Sequence, residues 1–311
     1  MPKQIREVYG SVLAELGETN ENIVVLDADL SGSTKSAIFG KAHPERFFNI
    51  GMAEQTMVAT AAGMAACGKI PFVNTFTVFL TSLGLLSARD QICYANLNVK
   101  FGGAYCGMSD ALDGASHHAT EDIAFMRALP NMKVIAPADA AAARWATKYA
   151  VENYGPMYLR LSREVYPDLY TEDTKFELGK GAIVRDGSDV TVIACGIMVH
   201  KALEAAKILE ERLISVRVVD MYSIKPIDRE LIVKCAEETG AIVCAEEHNI
   251  HGDLGSAFFE LLACEGCGVP TEFVGIQDTF TESAPYKELL AKYGLDADGV
   301  IEGIEKVLDR K

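Results

Sequence analysis

The segment Tyr105–His118, YCGMSDALDGASHH, collects side chains that move protons and bind hydroxyls: Asp113, His117 and His118. Gly, Ser and Asp punctuate it as a loop, and a helix is expected to follow at ATEDIA. A histidine in a polar loop at a helix start suits acid–base or substrate work better than core filling. Glu54 follows the apolar, strand-like entry FFNIGMA. It has two placements open to it, an exposed helix start beside the positive end of the macrodipole or a turn facing the interior. Phe76 and Phe79, in TFTVFLTS, are either core residues or a surface for a flat ring. Their joint occurrence with Glu54 and the Tyr105–His118 loop favours the ring surface. Arg160 and Arg163 flank the strand end YLRLSR. In open α/β sheets the ligand crevice lies beyond the carboxyl ends of the strands. Arg163 therefore reads as an anion holder or as a surface salt bridge.

These residues need a scaffold, and the pattern along the chain supplies one. Ile23–Asp29, Ile70–Phe76, Asn98–Tyr105, Met132–Pro137 and Met157–Ser162 read as strands. Helices are expected near 5–16, 53–66, 78–95, 117–128 and 138–152. Strands that are apolar without alternation are covered on both faces, as in parallel sheets. The alternation of strand and helix predicts an open α/β sheet. A polar, Pro-containing stretch, EVYPDLYTEDTKFELGK, follows Arg163 and reads as a linker. A second α/β series then runs through Asp189–Cys195, a helix to Glu211, Ser215–Asp220, a helix over 228–238 and Ala241–Glu246. The expected organisation is two domains, 1–165 and 181–311, joined by 166–180. The helix over 53–66 is rich in small residues, which predicts close packing.

With 311 residues the chain can bury a large core without disulfides or structural metals. Lys and Arg total 29 against 44 Asp and Glu, a net charge of −15. Such a surface repels phosphodiester backbones, so nucleic-acid binding is not expected. Cys264 and Cys267 form a lone C-x-x-C without a second pair, and the cysteines read as reduced. No signal peptide or membrane-length apolar run is evident, which predicts a cytoplasmic protein without a membrane partner.

FNIGMAEQTMVATAAGMA, TFTVFL, DGASHHATEDIAFMRALPNMKVIAPAD and YLRLSR resemble the pyrimidine-binding domain of transketolases. VTVIACG, VVDMYSIKPID and TGAIVCAEEHNIHGDLGSA resemble the C-terminal domain of the same family. The resemblance implies two open α/β domains, a thiamine pyrimidine-binding domain and a transketolase C-terminal domain. It also implies transfer of a two-carbon ketol unit from a ketose phosphate to an aldose, with thiamine diphosphate and Mg²⁺ as cofactors.

Through this resemblance Glu54 corresponds to the glutamate that hydrogen-bonds N1′ of the aminopyrimidine and favours its imino tautomer, a role that asks for a buried carboxyl. Phe76 and Phe79 correspond to the aromatic pair around the pyrimidine. His117 corresponds to the histidine facing the reacting carbon, and Asp113 to the acid that binds a donor hydroxyl. Arg6, Ser33 and Arg163 correspond to the group that holds the sugar phosphate, and Asp29 to an acid near the thiazolium. Two positions depart from the family pattern. Tyr105 stands where a pocket histidine is usual, twelve residues before His117, and Ser82 where a third aromatic is common, three after Phe79.

The family's G-D-G motif with its downstream Asn, which holds the diphosphate and Mg²⁺, has no counterpart in the sequence. GDL at Gly252 lies in the second domain, and together with His248 and His251 it reads as a structural turn. The resemblance thus implies the C-terminal, beta-type subunit of a split transketolase. Its partner would be an N-terminal subunit carrying the diphosphate and Mg²⁺ site, in a two-plus-two heterotetramer in which this chain also pairs with itself. The beta subunit of a 2-oxo-acid dehydrogenase and a non-catalytic interaction module are the alternatives.

Overall fold

The computed structural model describes residues 4–311. Twelve strands form two sheets. The first half of the chain contributes β1 (Ile23–Asp27), β2 (Phe47–Asn49), β3 (Ile70–Phe76), β4 (Lys100–Ala104), β5 (Lys133–Ile135) and β6 (Met157–Leu161). The second contributes β7 (Ala182–Arg185), β8 (Val190–Ala194), β9 (Val216–Asp220), β10 (Ser223–Lys225), β11 (Ile242–Asn249) and β12 (Thr271–Ile276). The first sheet runs β10-β5-β6-β4-β3-β1-β2 and the second β12-β11-β8-β9-β7. Pairing is parallel throughout, except that β10 lies antiparallel on β5 and β7 antiparallel on β9. The fold is α/β, and β1, β4, β6, β8 and β9 are buried along their whole length. That burial is why they read as unbroken apolar runs.

Several helices begin on an aspartate whose side chain accepts a backbone N–H of the first turn. Asp139 does so for Ala140–Glu152, Asp228 for Arg229–Thr239, Asp253 for Leu254–Glu265 and Asp296 for Ala297–Leu308. Each such cap stabilises its helix by about 1 kcal/mol. Asp139 also accepts from the backbone N–H groups of Leu169 and Tyr170, at 2.9 and 2.8 Å. Residues 166–181 form no helix or strand. They are tied down there, by Tyr170 donating to Asp220 Oδ2 at 2.8 Å, and by Phe176 stacking on Trp145.

Two helices differ from expectation where the site is built. The helix expected over 78–95 breaks into Thr77–Ser82, Leu85–Ser87 and a wider turn over Ala88–Cys93. Gly84 marks the break, where an added Cβ would sit 2.6 Å from the Leu80 carbonyl oxygen. The helix expected from 117 starts only at Asp122. Ala119 is engaged instead in a reciprocal pair of backbone bonds with Gly107. The helix Glu54–Ala66 buries one face, including Met57, Val58, Ala61 and Ala65, and exposes Gln55, Thr56 and Gly63 on the other. No helix among the described residues is long and apolar enough to cross a membrane.

Candidate active site

The carboxyl ends of β3, β4 and β6 deliver the aromatic and cationic residues to one place. Phe76 ends β3, Tyr105 follows β4 and Arg163 follows β6. The Tyr105 ring lies 4.4 Å from that of Phe76, and Phe76 and Phe79 are stacked with centroids 6.1 Å apart. His117 presents its ring edge-on to both phenylalanines, at 6.2 and 5.3 Å. Ser116 Oγ pairs with His117 Nδ1 at 2.9 Å, which steadies the imidazole while Nε2 is left for other work.

Arg6 comes from the first turn of the helix Ile5–Thr19 and is buried. Its Nη1 donates to the Tyr105 hydroxyl at 2.6 Å and to the Ser33 carbonyl at 2.5 Å. The guanidinium carbons of Arg6 and Arg163 lie 4.7 and 5.3 Å from the Tyr105 ring centroid. Two cations are thus gathered on one phenol, in a chain whose net charge is −15. Arg163 is held loosely, with Nη1 3.5 Å from Asp110 Oδ1 and its side chain 42% exposed. A contact that long leaves the guanidinium free to take an anion.

Asp110 was not singled out from the sequence, because nothing local distinguishes it from the other acids of its loop. Burial and the neighbouring Asp113 push its carboxyl up to about 6, against Arg163 and His117. Asp113 itself is exposed at the rim, on a short turn over Ala111–Asp113. His118, unlike His117, points inward. Its Nε2–H donates to the Ala111 carbonyl and its Nδ1 pairs with Thr281 Oγ1, and burial lowers its pKa.

Glu54 and Asp29 do not touch this group. The Glu54 side chain is buried and accepts from the Thr75 hydroxyl at 3.1 Å, which links it to the strand end carrying Phe76. Asp29 is exposed in a left-handed conformation, φ 69°, and accepts from Asn49 Nδ2 at 2.8 Å. Ser82 is exposed, and its hydroxyl donates back to the Val78 carbonyl.

Arg160, flagged with Arg163 at the strand end, has a different environment. It forms a bidentate buried pair with Asp122, through Nε at 2.8 Å and Nη2 at 3.1 Å. Tyr158 donates to the same carboxylate at 2.6 Å. Burial pushes Asp122 up, but Arg160 and its other neighbours win and hold it below the ordinary carboxylate range.

Glu246, His248 and Asp253 are the described acid–histidine group compact enough to suggest a cation. Glu246 accepts the N–H groups of Leu254 and Gly255, and Asp253 accepts that of Ser256. Both ring nitrogens of His248 are engaged as well, by the Ile123 N–H and the Asn249 carbonyl. These bonds tie the group to the turn before helix Leu254–Glu265, with Asp253 Oδ2 the one buried carboxylate oxygen of the three residues without a described partner.

Buried strands thus end on two arginines, three aromatic rings and a histidine, at the edge of an open α/β sheet where such folds hold their ligands. The chain belongs to the transketolase family. Residues 1–168 match the family model for the transketolase pyrimidine binding domain, and residues 179–300 the model for the transketolase C-terminal domain. It is similar to a putative transketolase C-terminal section of Methanocaldococcus jannaschii, 44% identical over 99% of this chain and 98% of that protein. A 6-deoxy-6-sulfo-D-fructose transketolase subunit of Clostridium sp. is 38% identical over 99% of this chain and 95% of its own length. A solved structure described as a split gene transketolase, inactive beta4 tetramer, superposes with a TM-score of 0.90 at 50% identity, covering 99% of each chain.

Proposed function

We propose that this chain is the beta-type subunit of a split, thiamine-diphosphate-dependent transketolase. It transfers a two-carbon ketol unit from a ketose phosphate to an aldose. A second chain, the N-terminal transketolase subunit, holds the diphosphate and Mg²⁺ in a two-plus-two assembly in which this chain also contacts its own copy. The observation that carries the reading is the pair of guanidiniums, Arg6 and Arg163, gathered on Tyr105 beside Phe76, Phe79 and His117. The beta4 description of the split gene relative and the anionic sugar named for the Clostridium subunit point the same way.

The residues present fit the pyrimidine end of the cofactor. Glu54 is a buried carboxyl whose one described partner is a neutral hydroxyl. Phe76 and Phe79 offer a paired aromatic surface for a flat heterocycle. Among the described residues no comparable group stands beside these rings for a diphosphate and its metal, which needs carboxylate and carbonyl oxygens around a hard cation. Thiamine diphosphate, when bound, supplies the carbon nucleophile that carries the two-carbon unit.

The chain's own side chains do the rest. With the cofactor bound, Glu54 would hold a proton at the pyrimidine nitrogen, and Asp29 would serve as the acid on the thiazolium side. His117 exchanges a proton with the donor's carbonyl oxygen, and Asp113 accepts a hydrogen bond from a donor hydroxyl. Arg6, Arg163 and Ser33 bind the phosphate oxygens, so the reacting carbonyl is held in register by its charged far end.

The test is turnover with thiamine diphosphate, Mg²⁺, xylulose 5-phosphate and an aldose acceptor, with and without the partner chain. Ketol transfer is expected from the two chains together and from neither alone. Robust transfer by this chain alone would overturn the split-site reading.

A further inference from the structure

The Tyr105–His118 loop is poorly suited to hold a conformation by itself. It is built of short turns over 108–110, Ala111–Asp113 and 115–117 without a helix or strand of its own, and four of its residues, Tyr105, Gly107, Ala111 and Gly114, have a positive φ. Three of its fixings come instead from the second half of the chain, more than 130 residues away in sequence. The N–H of Met108 donates to Glu247 Oε1 at 2.8 Å. His118 Nδ1 meets Thr281 Oγ1 at 2.7 Å, and Ser283 Oγ donates to the Leu112 carbonyl. Just beyond the loop, the Asn249 N–H donates to the Thr120 carbonyl at 2.8 Å.

The chemistry of each contact is specific. Since the Ala111 carbonyl can only accept, His118 carries its proton on Nε2, and a neutral ring must then accept the Thr281 hydroxyl proton at Nδ1. The His118 ring is thereby a strut between the loop's middle and the C-terminal domain. Glu247 packs so closely on Gly107 that any side chain there would collide with its carboxyl, and Gly107 at φ 60° also needs the conformational freedom of glycine. Burial pushes the Glu247 carboxyl up to about 7, with Arg160 pulling the other way.

We infer that Glu247, Thr281 and Ser283 are positioning residues, through which the C-terminal domain sets the loop that carries Asp113 and His117 against the arginine pair. They touch the loop's backbone and the His118 strut rather than substrate. The inference that this setting matters for turnover rests on the ketol-transfer reading above; the clamp itself does not.

Hydrogen exchange on the full chain, alone and in the reconstituted complex, separates the two. Thr281→Val and Glu247→Ala should speed exchange at least tenfold in peptides spanning 105–120, while peptides covering β1 and β6 keep wild-type rates. In the complex the same variants should lower kcat for ketol transfer about tenfold or more, with complex formation unchanged. Thr281→Ser and Glu247→Gln keep the donor and the acceptor, and should restore both readouts. Unchanged loop exchange would overturn the clamp, as would acceleration spread evenly over the whole chain. Fast loop exchange with wild-type kcat would overturn the positioning role. If the wild-type complex shows no ketol transfer, the functional reading fails, and the exchange data still decide the clamp.

Discussion

The Tyr105 hydroxyl receives a 2.6 Å hydrogen bond from Nη1 of Arg6, and the phenol ring lies beneath that same guanidinium. Arg163 approaches the same ring, so one side chain holds two like charges near each other before any anion arrives. This is the position at which the family pattern has a histidine. A phenol can do what a histidine does less dependably near neutral pH, which is to stay uncharged and accept from an arginine. Tyr105→Phe keeps the ring and removes the acceptor. It should raise KM for a phosphorylated donor about three- to tenfold, the range of one hydrogen bond to a charged group after partial compensation. Steady-state titration of the reconstituted complex checks it, and an unchanged KM would mean that the Ser33 carbonyl and Gln4 Oε1 suffice to hold Arg6.

Arg163 is the looser of the two cations and the one best able to close on a phosphate. Arg163→Ala should raise KM for phosphorylated donors ten- to a hundredfold, since a charge-assisted contact contributes roughly 1.5–3 kcal/mol. The loss should be smaller with hydroxypyruvate, which has no phosphate. Equal losses for both donors would assign Arg163 a structural role. No loss for either would remove the phosphate argument and return weight to a 2-oxo-acid chemistry.

Elements that answer to local rules were legible in the sequence. β3 is a run of seven residues, Ile70–Phe76, that the apolar pattern bounds at both ends. The Tyr105–His118 loop announced itself by composition, and the arginines by their place at a strand end. What escaped detection depends on distant pairing. β10 is three residues, Ser223–Lys225, and is a strand because it lies on β5, about ninety residues earlier. β7 is short and partly exposed, and β12 is only partly buried over its first three residues, so neither reads as an unbroken apolar run. Arg160 and Arg163 look alike three residues apart. Only the fold shows that Asp122 claims the first while the second lies half-exposed over the Tyr105 ring. Glu247 had no signal at all, because its partner at Met108 is 139 residues away.

Glu54 offers a test that leaves the architecture alone. Its buried carboxyl meets one neutral donor, Thr75, so a glutamine fits the same space and keeps an acceptor for that hydroxyl. What the amide cannot do is exchange a proton with a ring nitrogen. Glu54→Gln should therefore lower kcat by roughly a hundredfold or more, the scale of a lost acid–base group. The assembly, followed by sedimentation, should be unchanged. A kcat within a few-fold of wild type would show that Glu54 is a packing residue.

The last prediction concerns stability and is independent of the reaction. Asp220, at the end of β9, is fully buried, and its Oδ2 accepts from Tyr170 while Oδ1 is a buried oxygen without a described partner. Burial pushes its carboxyl up to about 8, the Tyr170 bond opposing and Asp139 adding to the rise. An unfolded aspartate titrates at about 3.9. Between those values the folded protein holds a proton that the unfolded chain has lost. The associated stabilisation is complete below the unfolded value and declines as pH rises to about 8, by at most about 1.4 kcal/mol per pH unit. Other groups titrate in the same window. Glu247, raised to about 7, acts with the same sign, whereas Lys100, lowered to about 7 by burial, gains stability upward from there. The informative quantity is therefore the difference between wild type and Asp220→Asn, which keeps an acceptor for Tyr170 but cannot ionise. Measured by thermal unfolding between pH 5.5 and 8, the variant should gain several degrees of Tm relative to wild type as pH rises. Parallel profiles, whatever their constant offset, would mean that Asp220 does not carry a proton in the folded protein at neutral pH.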